Sequence, residues 1–389
     1  MVAAVPPLVA PGAELTRDEI ERYSRHVILP EVGEMGQRRL RNARVAVVGA
    51  GGLGSPALTY LAAAGVGTIG IVDFDVVEIS NLQRQTIHGV ADLGRPKTVS
   101  AAAAIAQINP LVSVVQHPLR LSADNALATL AGYDLVIDGT DNFATRYLIN
   151  DACVLLGVPY VWGSVFRFEG QASVFWAAHG PHYRELYPTP PPAGSVMSCG
   201  EGGVLGVLCA AIGAVMATEA VKLICGIGKP LIGRLLTYDA LAMSVRTIDV
   251  RRDPAVEPIT GLIDYEAFCG SPPATAPTDR ASVTPGELSE LLVRNRRVTL
   301  IDVRDQAEFE LGSLPGAHLI PLVDITTGRA LDTLRAAAAA GQVVLYCKSG
   351  SRSARALEAL QASGLENIVE LHGGILAWGN DIDPSLPRY

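Results

Sequence analysis

The sequence predicts an α/β protein of two units: a Rossmann-like domain with a parallel sheet covered on both faces, then a second, small α/β domain. Three observations carry this. Short apolar strands alternate with helical stretches between residues 44 and 138, the pattern of a doubly covered parallel sheet. The first strand runs into a glycine loop, Gly49-Ala50-Gly51-Gly52-Leu53-Gly54. A proline-rich break at Ser271–Pro285, containing SPPATAPTD, then separates a further strand–helix alternation from the first.

Taken in order, residues 16–42 read as a charged amphipathic helix containing Arg22-Tyr23-Ser24-Arg25-His26. Arg44–Val48 is a β-branched strand, Ser55–Ala64 a helix closed by Gly65 as C-cap, and Thr68–Val72 a strand ending at Asp73. Lys97–Ile105 reads as helix, Val112–His117 as strand, and Leu135–Ile137 as a strand running into Asp138-Gly139-Thr140-Asp141. Ligands bind such sheets outside the carboxyl ends of the strands, where Gly49, Asp73 and Asp141 all fall. Residues 188–203 read as a long proline- and glycine-rich loop, and Gly202–Ala217 is too short and glycine-rich to span a bilayer, so it reads as a buried helix. Beyond the break come helix Leu288–Val293, strand Val298–Val303, strand Val343–Tyr346 and helix Ser353–Ser363. The expected organisation is a first domain over 1–262, a linker over 263–285 and a second domain over 286–389.

Composition removes several classes. With 389 residues, 49% hydrophobic and 18% charged, the chain is globular and long enough for two or three cores. A net charge of -8 argues against a nucleic-acid surface. Six scattered cysteines without a C-x-x-C pair fit a reducing cytoplasm. Pro6, Pro7 and Pro11 interrupt the apolar N-terminus and no Lys or Arg precedes Arg17, against a secretory signal. Neither membrane nor nucleic acid is expected as a partner.

The glycine loop satisfies the dinucleotide fingerprint, Gly49-x-Gly51-x-x-Gly54 after a strand and before a helix. Such glycines let backbone N–H groups approach a phosphate, and the helix N-terminus favours its charge. Asp73, 19 residues past Gly54, fits a carboxylate that binds a ribose hydroxyl. Taken alone, the fingerprint points to a nicotinamide or flavin oxidoreductase. Its surroundings point elsewhere. Asp73, Asp75, Asn81, Arg84 and Lys97 follow in short order, placing two cations and two carboxylates around one phosphate loop. Phosphoryl or nucleotidyl transfer needs cations on developing charge and carboxylates for a metal ion. The bland readings are solvated surface charges for Arg84 and Lys97 and a turn cap for Asn81.

The segments GAGGLGSP, IVDFDVVEISNLQRQ, GRPKT, INP and DGTDNFATRYLIND, spanning about residues 14–255 with their neighbours, resemble the MoeB/ThiF branch of the ubiquitin-activating superfamily. That resemblance implies an ATP-dependent adenylation domain in which Gly49, Gly51, Gly52 and Gly54 form the phosphate loop and Asp73 binds the adenosine ribose. Asn81, Arg84 and Lys97 would contact the ATP phosphates, and Asp141 would support magnesium and the reactive carboxylate. Arg25 matches an arginine given to the neighbouring subunit's ATP, which implies a homodimer. Many members carry two C-x-x-C pairs that hold a structural zinc. Here the first falls on His182 and Glu185 and the second, near Val256-Glu257-Pro258-Ile259, has no cysteine, so no zinc is expected.

In the second unit, Cys347 ends a strand and heads the loop Cys347-Lys348-Ser349-Gly350-Ser351-Arg352, which opens a helix. Successive backbone N–H groups in such a loop form an anion nest, and Lys348 and Arg352 add positive charge. Together they favour a thiolate, the nucleophilic form of cysteine. The flanks Leu300-Ile-Asp302-Val-Arg304-x-x-x-Glu308, Gly316-Ala-His318-x-Ile-Pro321 and Leu371-His-Gly373-Gly374-x-x-Ala377-Trp378 resemble a rhodanese domain. Rhodanese-fold phosphatases use a loop one residue longer, so six residues favour persulfide chemistry over phosphate esters. Cys199, in Ser198-Cys199-Gly200-Glu201, matches the family cysteine of the adenylation domain's crossing loop; both a resolving thiol and an unreactive packed cysteine fit it. Cys209, Cys225 and Cys153 read as core, and Cys269 has no evident partner.

Together the two resemblances imply an adenylyltransferase–sulfurtransferase. Its partners would be a MoaD-, ThiS- or CysO-like ubiquitin-like carrier ending in Gly-Gly and a sulfur donor, thiosulfate or a cysteine desulfurase. Two other classes compete: a nicotinamide-dependent oxidoreductase with an appended sulfur domain, and a non-catalytic scaffold that docks carriers.

Overall fold

A computed structural model describes residues 5–191, 202–270, 281–294 and 297–387; Cys199 and most of the proline- and glycine-rich loop lie outside them. The chain divides into two compact units, residues 1–273 and 274–389.

The first unit is built on one eight-stranded sheet of order β3-β2-β1-β4-β5-β6-β7-β8. Its strands are β1 (Arg44–Val48), β2 (Thr68–Val72), β3 (Ser113–His117), β4 (Leu135–Asp138), β5 (Tyr160–Phe166), β6 (Glu169–Phe175), β7 (Arg234–Asp239) and β8 (Ser244–Asp249). The first five pair in parallel, with Val45 of β1 opposite Ile69 on one side and Leu135 on the other. Alternate residues of β1 feed different cores: Val45 and Val47 one, Ala46 and Val48 the other. Both faces are therefore covered, as expected of a parallel sheet joined by crossover helices. From β5 onward the pairing is antiparallel, an extension absent from the sequence reading.

The chain winds outward from β1 in both directions, to β2 and to β4, so a crevice opens at the carboxyl ends of these strands. Helix Gly54–Ala64 starts at that crevice and ends at Gly65, which is left-handed with φ 80°. Helix Lys97–Ile108 starts beside it.

The segment 16–42 is two helices, Arg17–Val27 and Gly33–Asn42, not one. Thr16 and Glu19 form a capping box at the first. Pro30 breaks the run, because it lacks an N–H and disfavours helical geometry at the residue before it. The apolar helix extends over Gly206–Cys225, longer than the expected stretch. By length and composition it could cross a membrane, but it packs on the helix Gly54–Ala64 and on β5 and β6, with Leu208, Ile212, Met216, Ala220, Leu223 and Ile224 buried. Cys209, Cys225 and Cys153 are buried as expected.

The expected linker, 263–285, is trimmed at both ends. Tyr265 is buried in the first unit and its hydroxyl donates to Asp151 Oδ2 at 2.8 Å. Thr284 caps the helix Pro285–Val293 of the second unit, preceded by strand β9 (Ser282–Val283).

The second unit is a five-stranded, wholly parallel sheet of order β11-β10-β12-β13-β9. Its other strands are β10 (Val298–Asp302), β11 (His318–Leu319), β12 (Gln342–Tyr346) and β13 (Ile368–Leu371). Central β12 again alternates, sending Val343 and Leu345 to one core and Val344 and Tyr346 to the other. The residue after Tyr346 is Cys347, fully buried at the carboxyl end of the central strand.

Candidate active sites

The crevice of the first unit is an open cleft lined among others by Gly49, Gly51, Gly52, Asp73, Arg84, Lys97 and Asp141. The loop geometry demands glycine at two points in particular. Gly49 has φ 90°, in the left-handed region. A Cβ on Gly54 would sit 1.8 Å from the Gly49 carbonyl oxygen, so only glycine lets the helix start this close to the strand. Gly54 thus acts behind the loop, whereas Gly51 and Gly52 face the cleft.

Asp73 closes the loop from the side. Its Oδ2 accepts from the Ala50 N–H at 2.8 Å and its Oδ1 from the Asp75 N–H at 2.9 Å. Burial pushes its carboxyl up, against the pull of Lys97 and of those two N–H donors. Lys97, buried at the first turn of its helix, places Nζ 2.9 Å from Asp75 Oδ2, a carboxylate that is half-exposed. Arg84 is half-buried and its guanidinium donates to the Ser80 carbonyl at 3.0 Å. Asp141 presents an exposed carboxylate to the cleft.

Two predicted residues lie elsewhere. Asn81 is buried outside the lining; its Oδ1 accepts from the Glu78 N–H at 3.2 Å, which makes it a turn cap supporting the Arg84 segment. Arg25 is exposed on the helix Arg17–Val27 and does not line the cleft of its own chain. Cys199 falls outside the described residues.

Several lining groups escaped sequence reasoning. Arg120 follows β3, and its guanidinium lies 5.9 Å from the Phe74 ring centroid and 2.7 Å from Glu266 Oε1. Arg146 is buried, donates to the Thr140 carbonyl at 3.1 Å and lies over the Phe143 and Trp162 rings. Beneath it Asp138 is fully buried; burial pushes its carboxyl up, opposed by Arg146 and by two hydrogen bonds from Thr140. The rule that every strand end of a parallel sheet faces the ligand would have flagged Arg120. Gln85 and Cys209 also reach the cleft.

In the second unit the six-residue loop from Cys347 curls back on its own sulfur. Gly350, left-handed with φ 103°, caps helix Ser351–Ala362, and its N–H donates to Cys347 Sγ at 3.2 Å. The Ser353 hydroxyl stands 3.7 Å from the same sulfur. The Gly350 N–H and the helix N-terminus supply the anion nest, while the Ser353 hydroxyl is shared with the Gly350 carbonyl at 3.0 Å and Glu370 Oε2 at 3.3 Å. The Gly373-Gly374 landmark brackets the loop from outside: the Ile375 and Leu376 N–H groups donate to the Cys347 and Lys348 carbonyls. A Cβ on Gly374 would come within 2.6 Å of both carbonyl oxygens.

Arg352 departs from its expected role. Its guanidinium makes a bidentate pair with Glu308, at 2.6 and 2.8 Å, so its charge is cancelled at short range. It braces the loop and does not serve as a net cation for the thiolate. Asp302 and Arg304 form a second, fully buried pair, with Arg304 also donating to the Gly312 carbonyl at 2.7 Å. Burial would raise the Glu308 carboxyl, but the Arg352 hydrogen bonds and charge hold it below its usual value. A depressed carboxylate stabilises the fold above about pH 4.5 and loses that contribution as pH falls through its folded value. Glu308→Gln is expected to remove the bidentate charge pair between Glu308 and Arg352, costing about 3 kcal/mol. The variant should melt earlier at pH 7 by circular dichroism and show a flatter acid dependence than the parent chain.

A ThiF family model matches residues 23–257, and a rhodanese-like domain matches residues 284–381. The chain is 56% identical over its full length to a probable adenylyltransferase/sulfurtransferase MoeZ of Mycobacterium tuberculosis, also covered in full. It is 43% identical to the adenylyltransferase and sulfurtransferase MOCS3 of Mus musculus, over 99% of this chain and 90% of that one. A sulfur carrier protein adenylyltransferase of Thermus thermophilus is 53% identical over 66% of this chain and 98% of its own length. Among solved structures, E. coli MccB with MccA-N7isoASN shares the fold, with TM-score 0.55 and 21% identity over 60% of this chain and 73% of that one. The chain belongs to the ThiF family, fused to a rhodanese-like domain, and is an adenylyltransferase and sulfurtransferase.

Proposed function

We propose that the chain adenylates the C-terminal glycine of a ubiquitin-like sulfur carrier in the cleft and then replaces the activated oxygen with sulfur delivered by Cys347. The observation that carries this is the pairing, on one chain, of a glycine-loop cleft ringed by Lys97, Arg84, Asp73 and Asp141 with a sulfur nest around Cys347.

The carrier carboxylate attacks the α-phosphorus of ATP and pyrophosphate leaves. The loop N–H groups hold the phosphates, Asp73 takes the ribose, and Lys97 and Arg84 meet the developing charge. Asp141 offers an oxygen donor of the kind hard divalent cations use together with phosphate oxygens, so it would hold magnesium, which would supply charge neutralisation at the phosphates. Arg25, exposed and away from its own cleft, serves the ATP of a second copy in a homodimer.

Cys347 carries a persulfide taken from thiosulfate or a cysteine desulfurase. Its terminal sulfur attacks the acyl carbon and AMP leaves, giving an acyl disulfide between the carrier and Cys347. Cys199 then attacks the Cys347 sulfur, releasing the carrier thiocarboxylate and leaving a Cys199–Cys347 disulfide for an external thiol to reduce. Carrying both sites on one chain would make the transfer intramolecular, at roughly millimolar effective concentration. The unpaired thiols Cys153, Cys225 and Cys269 suit a reducing cytoplasm.

Incubating the chain with ATP, a Gly-Gly carrier and thiosulfate should shift the carrier mass by the oxygen-to-sulfur difference. An unchanged mass overturns the sulfur-transfer reading.

We also propose that this chain dispenses with zinc. Glu185 Oε1 accepts from the Asp253 N–H at 3.0 Å and Oε2 from the His182 N–H at 2.6 Å. Nearby, Asp151 pairs with Arg184 at 2.8 and 2.7 Å and accepts from Tyr265. Side-chain hydrogen bonds thus join the segments around residues 182–185 and 253–265. Chelation by EDTA is expected to leave the melting temperature unchanged, whereas Asp151→Ala, which strands Arg184, should cost about 3 kcal/mol.

A further inference from the structure

The glycine loop is held from behind by a side chain that touches none of the cleft. His88 is buried, with Nε2 3.0 Å from the Ala50 carbonyl oxygen and Nδ1 2.8 Å from the Ser100 hydroxyl. A carbonyl oxygen only accepts, so Nε2 must carry the proton. Burial lowers the imidazole's affinity for a second proton, and Nδ1 faces the Ser100 hydroxyl, whose other neighbour is the Asp92 carboxylate. Ser100 lies on the helix that begins with Lys97.

We propose that His88 is a positioning residue for the adenylation reaction: its Nε2–H fixes the Ala50 carbonyl, and through it aims the Gly51 N–H at the ATP phosphates. The peptide between Ala50 and Gly51 is planar and trans, so its N–H points opposite to its carbonyl. With the carbonyl turned inward to His88, the Gly51 N–H faces the cleft that Gly51 lines. The preceding peptide is fixed too, since the Ala50 N–H donates to Asp73. Two side chains from different elements thus clamp both peptides of Ala50. Ser100 completes the arrangement by tying the same imidazole to the helix that brings Lys97 to the phosphates.

This rests on the cleft being the ATP site, and the test separates the two claims. ATP binding to the full chain is measured by calorimetry, and KM for ATP by carrier-dependent ATP–pyrophosphate exchange. Glutamine places an amide N–H where Nε2 stands, whereas asparagine reaches only as far as Nδ1. His88→Phe and His88→Asn should each weaken ATP binding about tenfold and raise KM in proportion, the scale of one lost buried hydrogen bond. His88→Gln should stay within about twofold of the parent chain. A role in folding alone would reduce the active fraction, and so apparent kcat, with KM unchanged. Wild-type affinity in His88→Phe, or equal behaviour of the Gln and Asn variants, overturns the proposal. If His88→Phe does not fold, the Gln and Asn pair decides. Absence of ATP binding by the parent chain would overturn the assignment of the cleft itself.

Discussion

Cys347→Ala is expected to abolish carrier thiocarboxylate formation while leaving carrier-dependent ATP–pyrophosphate exchange at the parental rate. The sulfur is fully buried, with the Gly350 N–H at 3.2 Å and the Ser353 hydroxyl at 3.7 Å. Alanine fits the same backbone, so the loop loses an acceptor but no architecture. No other group in the nest can carry a sulfane sulfur, because persulfide transfer needs a thiolate that attacks and then leaves. Rates should fall at least about a thousandfold, as with loss of a covalent nucleophile. Cys347→Ser sharpens the test, since it keeps a hydrogen-bonding atom in place yet cannot form a persulfide. Mass spectrometry of the carrier reads one arm and radiolabelled pyrophosphate exchange the other. Retained sulfur transfer in either variant would remove Cys347 from the pathway.

The parts legible in the sequence are those whose signals are local. β1 to β4 announce themselves as short β-branched runs, and the rhodanese strands β10 and β12 do the same. The antiparallel extension β5 to β8 does not. Its two tight turns carry Arg167 and Met243 with φ 53° and 50°, where hairpins ordinarily advertise themselves with Asn-Gly or Asp-Gly. With arginine and methionine in the left-handed region, the strongest short-range hairpin signal is missing.

The sites divide along the same line. Gly49, Gly51 and Asp73 are found by spacing, Gly52, Arg84, Lys97 and Asp141 through the family resemblance, and they converge on one cleft. Arg146 and His88 act through contacts that only the folded topology creates, and neither belongs to a spacing rule. Arg352 shows the opposite error. Beside a nucleophile it reads as a cation, but Glu308, 44 residues earlier, neutralises it. A charge counted in sequence is not a charge felt in space until its partner is known.

Lys97→Ala is expected to remove both activities, because no acyl-adenylate would form for Cys347 to attack. Lys97 is buried at the cleft while its partner Asp75 is half-exposed. An ion pair with one solvated member contributes little to folding, at most about 1 kcal/mol. The Lys97 N–H also donates to the Asp75 carbonyl at 2.9 Å, a bond that alanine keeps, so the helix start survives. The melting temperature should therefore move by only a few degrees, while pyrophosphate exchange falls about 100- to 1,000-fold, the scale for losing one preorganised charge at a transition state. Asp75→Asn provides the contrast: it removes the partner and leaves the ammonium, so it should spare most of the exchange rate. If Lys97→Ala and Asp75→Asn lost activity equally, the ion pair and not the cation would be the functional unit. If Lys97→Ala lost less than about tenfold, the developing charge would have to be met by Arg84 and Arg146 instead.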